Sequence, residues 1–188
     1  MTRSPLRRRR IAGVLVVLAV LVAGYTVWTN VRPQAELTAS SEIRATPEEV
    51  WQVLTDLPRY EEWNPFMTSA RVISDGGKVE DGARLRIVMH DDSGDSTFEP
   101  QVRAAERGRE LRWLGRIGPG LIGDGEHRFL IEPLGSGRVR FTQSERFTGV
   151  AVPFAAGMLR SRTLPQFHAM NDALAERIAA VRASAGSR

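Results

Sequence analysis

Residues 124–129, "DGEHRF", set a histidine among carboxylates inside a run that otherwise reads as an ordinary strand. Alternation along "EHRFLIEP" turns His127, Phe129 and Ile131 to one face and Glu126, Arg128, Leu130 and Glu132 to the other, so His127 falls on the apolar side. The next run, "RVRFTQSERF", presents Val139, Phe141, Gln143, Glu145 and Phe147 together. With "GSG", residues 135–137, as a three-residue hairpin loop, Ile131 faces Phe141, Phe129 faces Gln143 and His127 faces Glu145. A slip by one residue would turn an apolar face outward, which constrains this register, while a slip by two residues stays open. An inward histidine beside a carboxylate serves one of three ends: two buried polar groups satisfying each other, a fixed point for the polar end of an apolar ligand, or general acid/base catalysis.

Other residue types narrow the chemistry. Trp113 alternates with Leu111 on an inward face, as core or cavity wall, whereas Arg112 and Arg116 have the opposite parity and read as solvated. Trp63 and Phe66, around "WNP", are placed to border a cavity mouth or to pack a corner, and the glycine-rich "GPGLIGDG" reads as a plain connection or an entry gate. The acidic "DDSGD" lacks the downstream glutamate of a calcium loop. The chain has no cysteine, and His90, His127 and His168 show no HxxxH or HExxH spacing, so no metal site is expected. Phosphate-loop, serine-elbow and nucleotide-fingerprint patterns are missing as well, and no cofactor is expected.

The net charge of +4 is misleading about partners. Arg3, Arg7, Arg8, Arg9, Arg10 and Arg32 place +6 before residue 35 with no acid among them, which leaves −2 on the remainder. A slightly acidic body without a basic block is not a nucleic-acid surface. The 18 residues Ile11 to Trp28 carry no charge and span about 27 Å as a helix, enough to cross a thin bilayer once. Tyr25 and Trp28 fall at the far end, and the arginines favour the cytoplasmic side. The expectation is a single-pass anchor in the cytoplasmic membrane with the rest of the chain outside the cytoplasm. A cleaved signal peptide and a buried core helix are the alternatives. The organisation expected is a basic arm (1–10), a membrane helix (11–28), a linker (29–35), one domain (36–183) and a tail (184–188).

The elements that position the inward residues follow from punctuation and period. Thr46, Pro47 and Glu49 form a capping box with proline at the first helical position, opening a helix whose apolar side is Val50, Trp51, Val53 and Leu54. Asp56 caps a second short helix that stops at Pro65. From Met67 to Thr148 the alternation, cut by "SDGGKVEDG", "DDSGD", "ERGRE", "IGPGLIGDG" and "LGSG", predicts about six antiparallel strands in a meander. Phe167, Met170, Asn171, Leu174, Ile178 and Val181 form one stripe of a long final helix, and Thr163 with Gln166 resembles a second capping box. Whether "VPFAAGMLRS" joins that helix through a kink at Pro165 stays open.

The segments "IRATPEEVWQVLTDLPRYEEWNPFM", "GARLRI", "ELRWLGRI", "DGEHRFLIEPL" and "SERFTG" together resemble the START-like, polyketide cyclase/dehydrase superfamily, also called SRPBCC, over about residues 36–183. The resemblance implies an α+β helix-grip fold, a curved antiparallel sheet of about seven strands wrapped on a long C-terminal helix, with a deep hydrophobic cavity. It implies a hydrophobic small molecule or lipid as partner, and members range from binders and carriers to cyclases. On this reading Trp63, Phe66, Leu85, Ile87, Trp113, His127, Phe129, Phe141, Gln143, Glu145 and Phe167 are the ligand-facing candidates. Two other functions stay open: a cyclase/dehydrase-like or hydrolase-like enzyme with His127 and Glu145 as its acid/base pair, and an envelope interaction module using the outer face of the sheet.

Overall fold

The computed structural model describes residues 5–91, 94–117 and 121–186. It begins with α1 (Pro5–Val31), a helix that takes in part of the expected arm and the start of the expected linker. Only Arg32, Pro33 and Gln34 separate it from β1 (Ala35–Ile43). The chain continues with α2 (Pro47–Thr55), a 3-10 helix (Leu57–Glu62), β2 (Met67–Val72), β3 (Leu85–Asp91), β4 (Gly94–Phe98), β5 (Gln101–Glu106), β6 (Glu110–Ile117), β7 (Gly123–Gly135), β8 (Arg138–Thr148) and α3 (Val152–Gly186). α3 runs through the start of the expected tail; residues 1–4, Gly118–Gly120 of the expected gate, and Asp92 and Ser93 of "DDSGD" lie outside the described residues.

α2 starts where its cap chemistry places it. The Thr46 hydroxyl accepts from Glu49 N at 3.3 Å, and the Glu49 carboxylate accepts from Thr46 N at 2.7 Å, so two otherwise orphaned donors are satisfied reciprocally. Val50, Trp51 and Leu54 are then turned into the core. The next helix departs from expectation. It is a 3-10 turn without a side-chain cap: Asp56 also closes α2, its N–H donating to Gln52 O, and its carboxylate lies 3.4 Å from Arg59. It closes at Glu62 rather than Pro65, where Trp63 N and Asn64 N both donate to Tyr60 O. Asn64 Oδ1 accepts from Phe66 N and Met67 N and so turns the chain into β2. The Tyr60 hydroxyl donates to Leu54 O at 2.6 Å, and burial pushes its phenol pKa up.

Among the described residues eight strands form two antiparallel ladders, in the orders β1-β8-β7-β6-β5 and β2-β3-β4. The extra strand and the division have one cause. The segment expected as a single strand breaks at Glu99 and Pro100, and proline has no N–H for the ladder. Leu85 N donating to Pro100 O and Val102 N donating to Ala83 O stitch the two ladders across that bend. The β7/β8 register is the expected one at Ile131–Phe141, Phe129–Gln143 and His127–Glu145. Near the turn the ladder shifts, with Pro133 opposite Val139 but Gly135 opposite Arg138. The loop proper is therefore Ser136–Gly137, both at positive φ as a two-residue hairpin turn requires.

α3 packs along the inner face of the sheet, mainly on β1, and is continuous through Pro165. Thr163 and Gln166 accordingly lie inside a helix and cap nothing. Phe167, Met170, Asn171, Leu174 and Ile178 are buried, whereas Val181 is 45% exposed, past the end of the packed stripe. The C-terminal half of α3 is fastened to the α2 region: Arg182 pairs with Glu49 and donates to Arg44 O, and Arg177 pairs with Glu62. Those bonds, led by the Arg182 guanidinium and aided by Thr46, hold the Glu49 carboxyl at about 2, against its ordinary 4.5. On the outer face Arg112 is not simply solvated, since it bonds Glu110 and Glu126; Arg116 lies 3.8 Å from Asp124. Burial opposes ionisation of Glu110, yet Arg128 and Arg112 outweigh it and keep that carboxyl below the usual range.

Candidate ligand-binding site

β6, β7 and β8 bring three inward candidate residues together as a cross-strand row. Trp113 pairs with His127, and His127 pairs with Glu145, so the parity that turns each strand's apolar side inward also sets these three side by side. The imidazole of His127 is 5% exposed and held by three rings. Trp113 stacks on it at 5.4 Å between centroids and 23° between planes, Phe129 lies at 4.5 Å, and Phe167 of α3 meets it edge-on at 5.0 Å. Nδ1 lies 3.4 Å from Glu145 Oε2. A carboxylate can only accept, so in that pair the hydrogen sits on Nδ1 and a neutral ring carries its lone pair on Nε2. Nε2 is buried and has no hydrogen-bond partner among the described residues.

The adjacent row explains how the carboxylate fits. Gly115 pairs with Gly125, and Gly125 with Phe147, leaving a stretch of sheet without side chains beside His127 and Glu145. A methyl group on Gly125 would collide with Glu145 Oε1. The glycine therefore makes room for the carboxylate rather than serving a turn.

A cavity of about 190 Å³ lies against this row, between the sheet and α3. Phe66, Ile87, Trp113, His127, Glu145 and Phe167 of the candidate set line it. Leu85, Phe129, Phe141 and Gln143 share the inward parity but pack in the core behind the lining. Gln143 donates its amide to Met170 Sδ at 3.2 Å. Trp63 is removed from the cavity altogether: it packs against Tyr60 at 5.1 Å and borders a separate groove between α2 and α3, of about 200 Å³. That groove is a weaker site, because Glu49 with Arg182 and Asp56 with Arg59 already pair within it.

Further lining residues lie outside the candidate set. Met89 follows Ile87 by two and Gly115 follows Trp113 by two, so parity offers them; Met67 is the partner of Met89. Phe98 and Pro100 arrive with the bend between β4 and β5. Leu159, Thr163 and Gln166 precede Phe167 at helical spacing, a signal hidden by the resemblance of Thr163 and Gln166 to a cap. The result is an apolar chamber whose polar side chains are His127, Glu145, Thr163 and Gln166.

A sheet gripping a long helix around a mostly apolar cavity with a few polar groups is the architecture of a helix-grip ligand-binding domain. The chain belongs to the polyketide cyclase/dehydrase and lipid transport family, whose profile matches residues 34–179. Solved structures share the fold. A START superfamily protein from Mycobacterium smegmatis superposes with a TM-score of 0.64 at 19% identity, over 78% of this chain and 98% of that one. The Zhui aromatase/cyclase from Streptomyces sp. R1128 gives 0.62 at 15% identity, over 76% and 92%. A norcoclaurine synthase point mutant from Thalictrum flavum, solved with a transition-state analogue, gives 0.62 at 14%, over 78% and 95%. No curated protein matches the chain.

Proposed function

We propose that this chain is a membrane-anchored binding protein for a small apolar molecule that carries one polar group. The observation that supports it is the buried, unpartnered Nε2 of His127 in a cavity walled by Trp113, Phe167 and Phe66. A buried polar atom without a partner is costly, and a ligand hydroxyl or amine donating to Nε2 would relieve that cost. At about 190 Å³ the chamber is smaller than the roughly 300–1,000 Å³ of drug-sized sites, so it suits a ring or a short acyl segment rather than a whole two-chain lipid. The anchor reading is supported by Arg9–Val31, an apolar helical stretch whose Ile, Leu and Val side chains are all exposed, flanked by arginines at one end and by Tyr25 and Trp28 at the other. It makes α1 a single-pass helix of the cytoplasmic membrane, with the domain outside the cytoplasm.

The test is native mass spectrometry of the full-length protein released from detergent, with organic extraction and mass identification of what it carries. A defined apolar adduct that is lost in His127→Gln supports the carrier. A clean unliganded mass from repeated preparations overturns it.

A second reading has its own support. Glu145 fixing Nδ1 and leaving Nε2 as a proton acceptor is the arrangement of an oriented general base, and an aromatase/cyclase and a norcoclaurine synthase share the fold. This reading expects turnover with a bell-shaped pH profile that disappears in His127→Ala while the fold survives.

A further inference from the structure

Among the described residues, the large apolar side chains exposed outside α1 are Leu121 (54%), Ile122 (43%), Phe154 (85%), Met158 (52%) and, near the far end of α3, Val181. The first four are tied together. Val150 N donates to Leu121 O at 3.0 Å, Ala151 N to Ile122 O at 3.1 Å, and Phe154 N to Ala151 O at 3.1 Å. Met158 follows Phe154 by one helical turn and shares its face. This cluster is in turn fixed to α1, because Gly149 N donates to Thr29 O at 2.8 Å and the Tyr25 hydroxyl donates to Val150 O at 3.0 Å. With three residues between α1 and β1, and Gln34 N bonded to Phe147 O, the domain has little freedom to turn about the helix.

We infer that Leu121, Ile122, Phe154 and Met158 form a lipid-contacting surface that seats the domain on the bilayer crossed by α1, at the level of Tyr25. The inference rests on the membrane-crossing reading of α1. Tyr25 and Trp28 mark the depth at which aromatic rings settle between headgroups and acyl chains, and the hydrogen bond from Tyr25 brings Val150 and its neighbours to that depth. Side chains exposed to water in a free domain are covered by lipid there, as in an interfacial helix with an apolar face and basic flanks. Arg32, Arg160 and Arg162 are exposed and have no ion-pair partner among the described residues, which suits them to anionic headgroups at the rim. Leu159, next to Met158, and Thr163, one turn further, line the cavity. The seating therefore brings this end of the chamber to the membrane, and an apolar ligand enters from lipid instead of crossing water.

The chain has no cysteine, so single-cysteine variants of the full-length protein report position without further change. Ile122→Cys, Phe154→Cys and Met158→Cys would carry a polarity-sensitive fluorophore in phosphatidylcholine/phosphatidylglycerol vesicles containing a spin-labelled quencher lipid. Val16→Cys inside α1 is the reference for insertion. Glu132→Cys, exposed and eight residues along β7 from Asp124, lies roughly 26 Å away and is the reference for water. The expected result is blue-shifted, quenched emission at 16, 122, 154 and 158 and unquenched emission at 132. Quenching at 16 without quenching at 122, 154 and 158 overturns the seating and leaves the anchor standing; the face is then open to water or covered by protein. No quenching at 16 removes the anchor, and the seating with it.

Discussion

His127 shows what strand parity reveals and what it does not. The alternation in β7 and β8 with a three-residue loop puts it opposite Glu145; the register in the structure is the same, although it is reached through a two-residue turn and a ladder shift at Gly135. Parity separates inside from outside but cannot separate a core residue from a cavity wall. Phe129 and Phe141 share the inward face with His127, yet the cavity lies beside the Gly115–Gly125 pair, where the sheet carries no side chains. Gly125 is the residue on which this arrangement turns. Gly125→Ala would push the Glu145 carboxylate away from His127 Nδ1, and since that carboxylate is the far end of a flexible side chain, the fold should survive. The expected outcome is about a tenfold fall in ligand retention or turnover, equivalent to about 1.4 kcal/mol, with a near-native melting curve. If retention and turnover are both unchanged, the Glu145–His127 contact serves packing alone.

At the scale of elements, α2 was legible to the residue because its start depends on three neighbouring side chains, Thr46, Pro47 and Glu49. The break at Pro100 and the continuity of α3 through Pro165 were not, because a missing N–H removes one hydrogen bond without deciding whether the strand ends or the helix runs on. The two halves of α3 are also held differently: Arg177 and Arg182 bind the C-terminal half to Glu62 and Glu49, while the N-terminal half relies on contacts such as Val152 and Leu159. The Glu49 carboxyl, held at about 2 in the folded chain against 4.5 ordinarily, makes the first of these fastenings dependent on acid. Because the folded value is the lower one, the stabilisation is complete above about pH 4.5 and is lost as pH falls from there toward 2. Glu49→Gln should therefore melt roughly 2–4 °C below the wild type near neutral pH, with the gap closing across that acid window. Calorimetry at several pH values checks it, and a gap independent of pH would assign the loss to the cap geometry alone.

For the whole molecule, the apolar run of α1 was legible in the sequence, but its attachment to the domain was not, since that depends on Tyr25 and Thr29 meeting the turn after β8 across more than a hundred residues. On the anchored reading, a phosphatase-type reporter fused after residue 188 should be active, because it folds only outside the cytoplasm, and a fluorescent-protein reporter that folds only in the cytoplasm should be dark. The opposite pattern would invert the orientation drawn from Arg7 to Arg10.

The pairing of β1 with β8 sets an order of events in synthesis. β1 is complete at Ile43, but its partner begins at Arg138 and hydrogen-bonds to it along its whole length. At the usual 5–20 residues per second, the ribosome needs roughly 5–20 s to deliver that partner, and until then β1 waits as a bare edge, on the anchored reading beside a helix already inserted. The nascent chain is thus most open to mispairing during that interval, and closure comes only with its last strand.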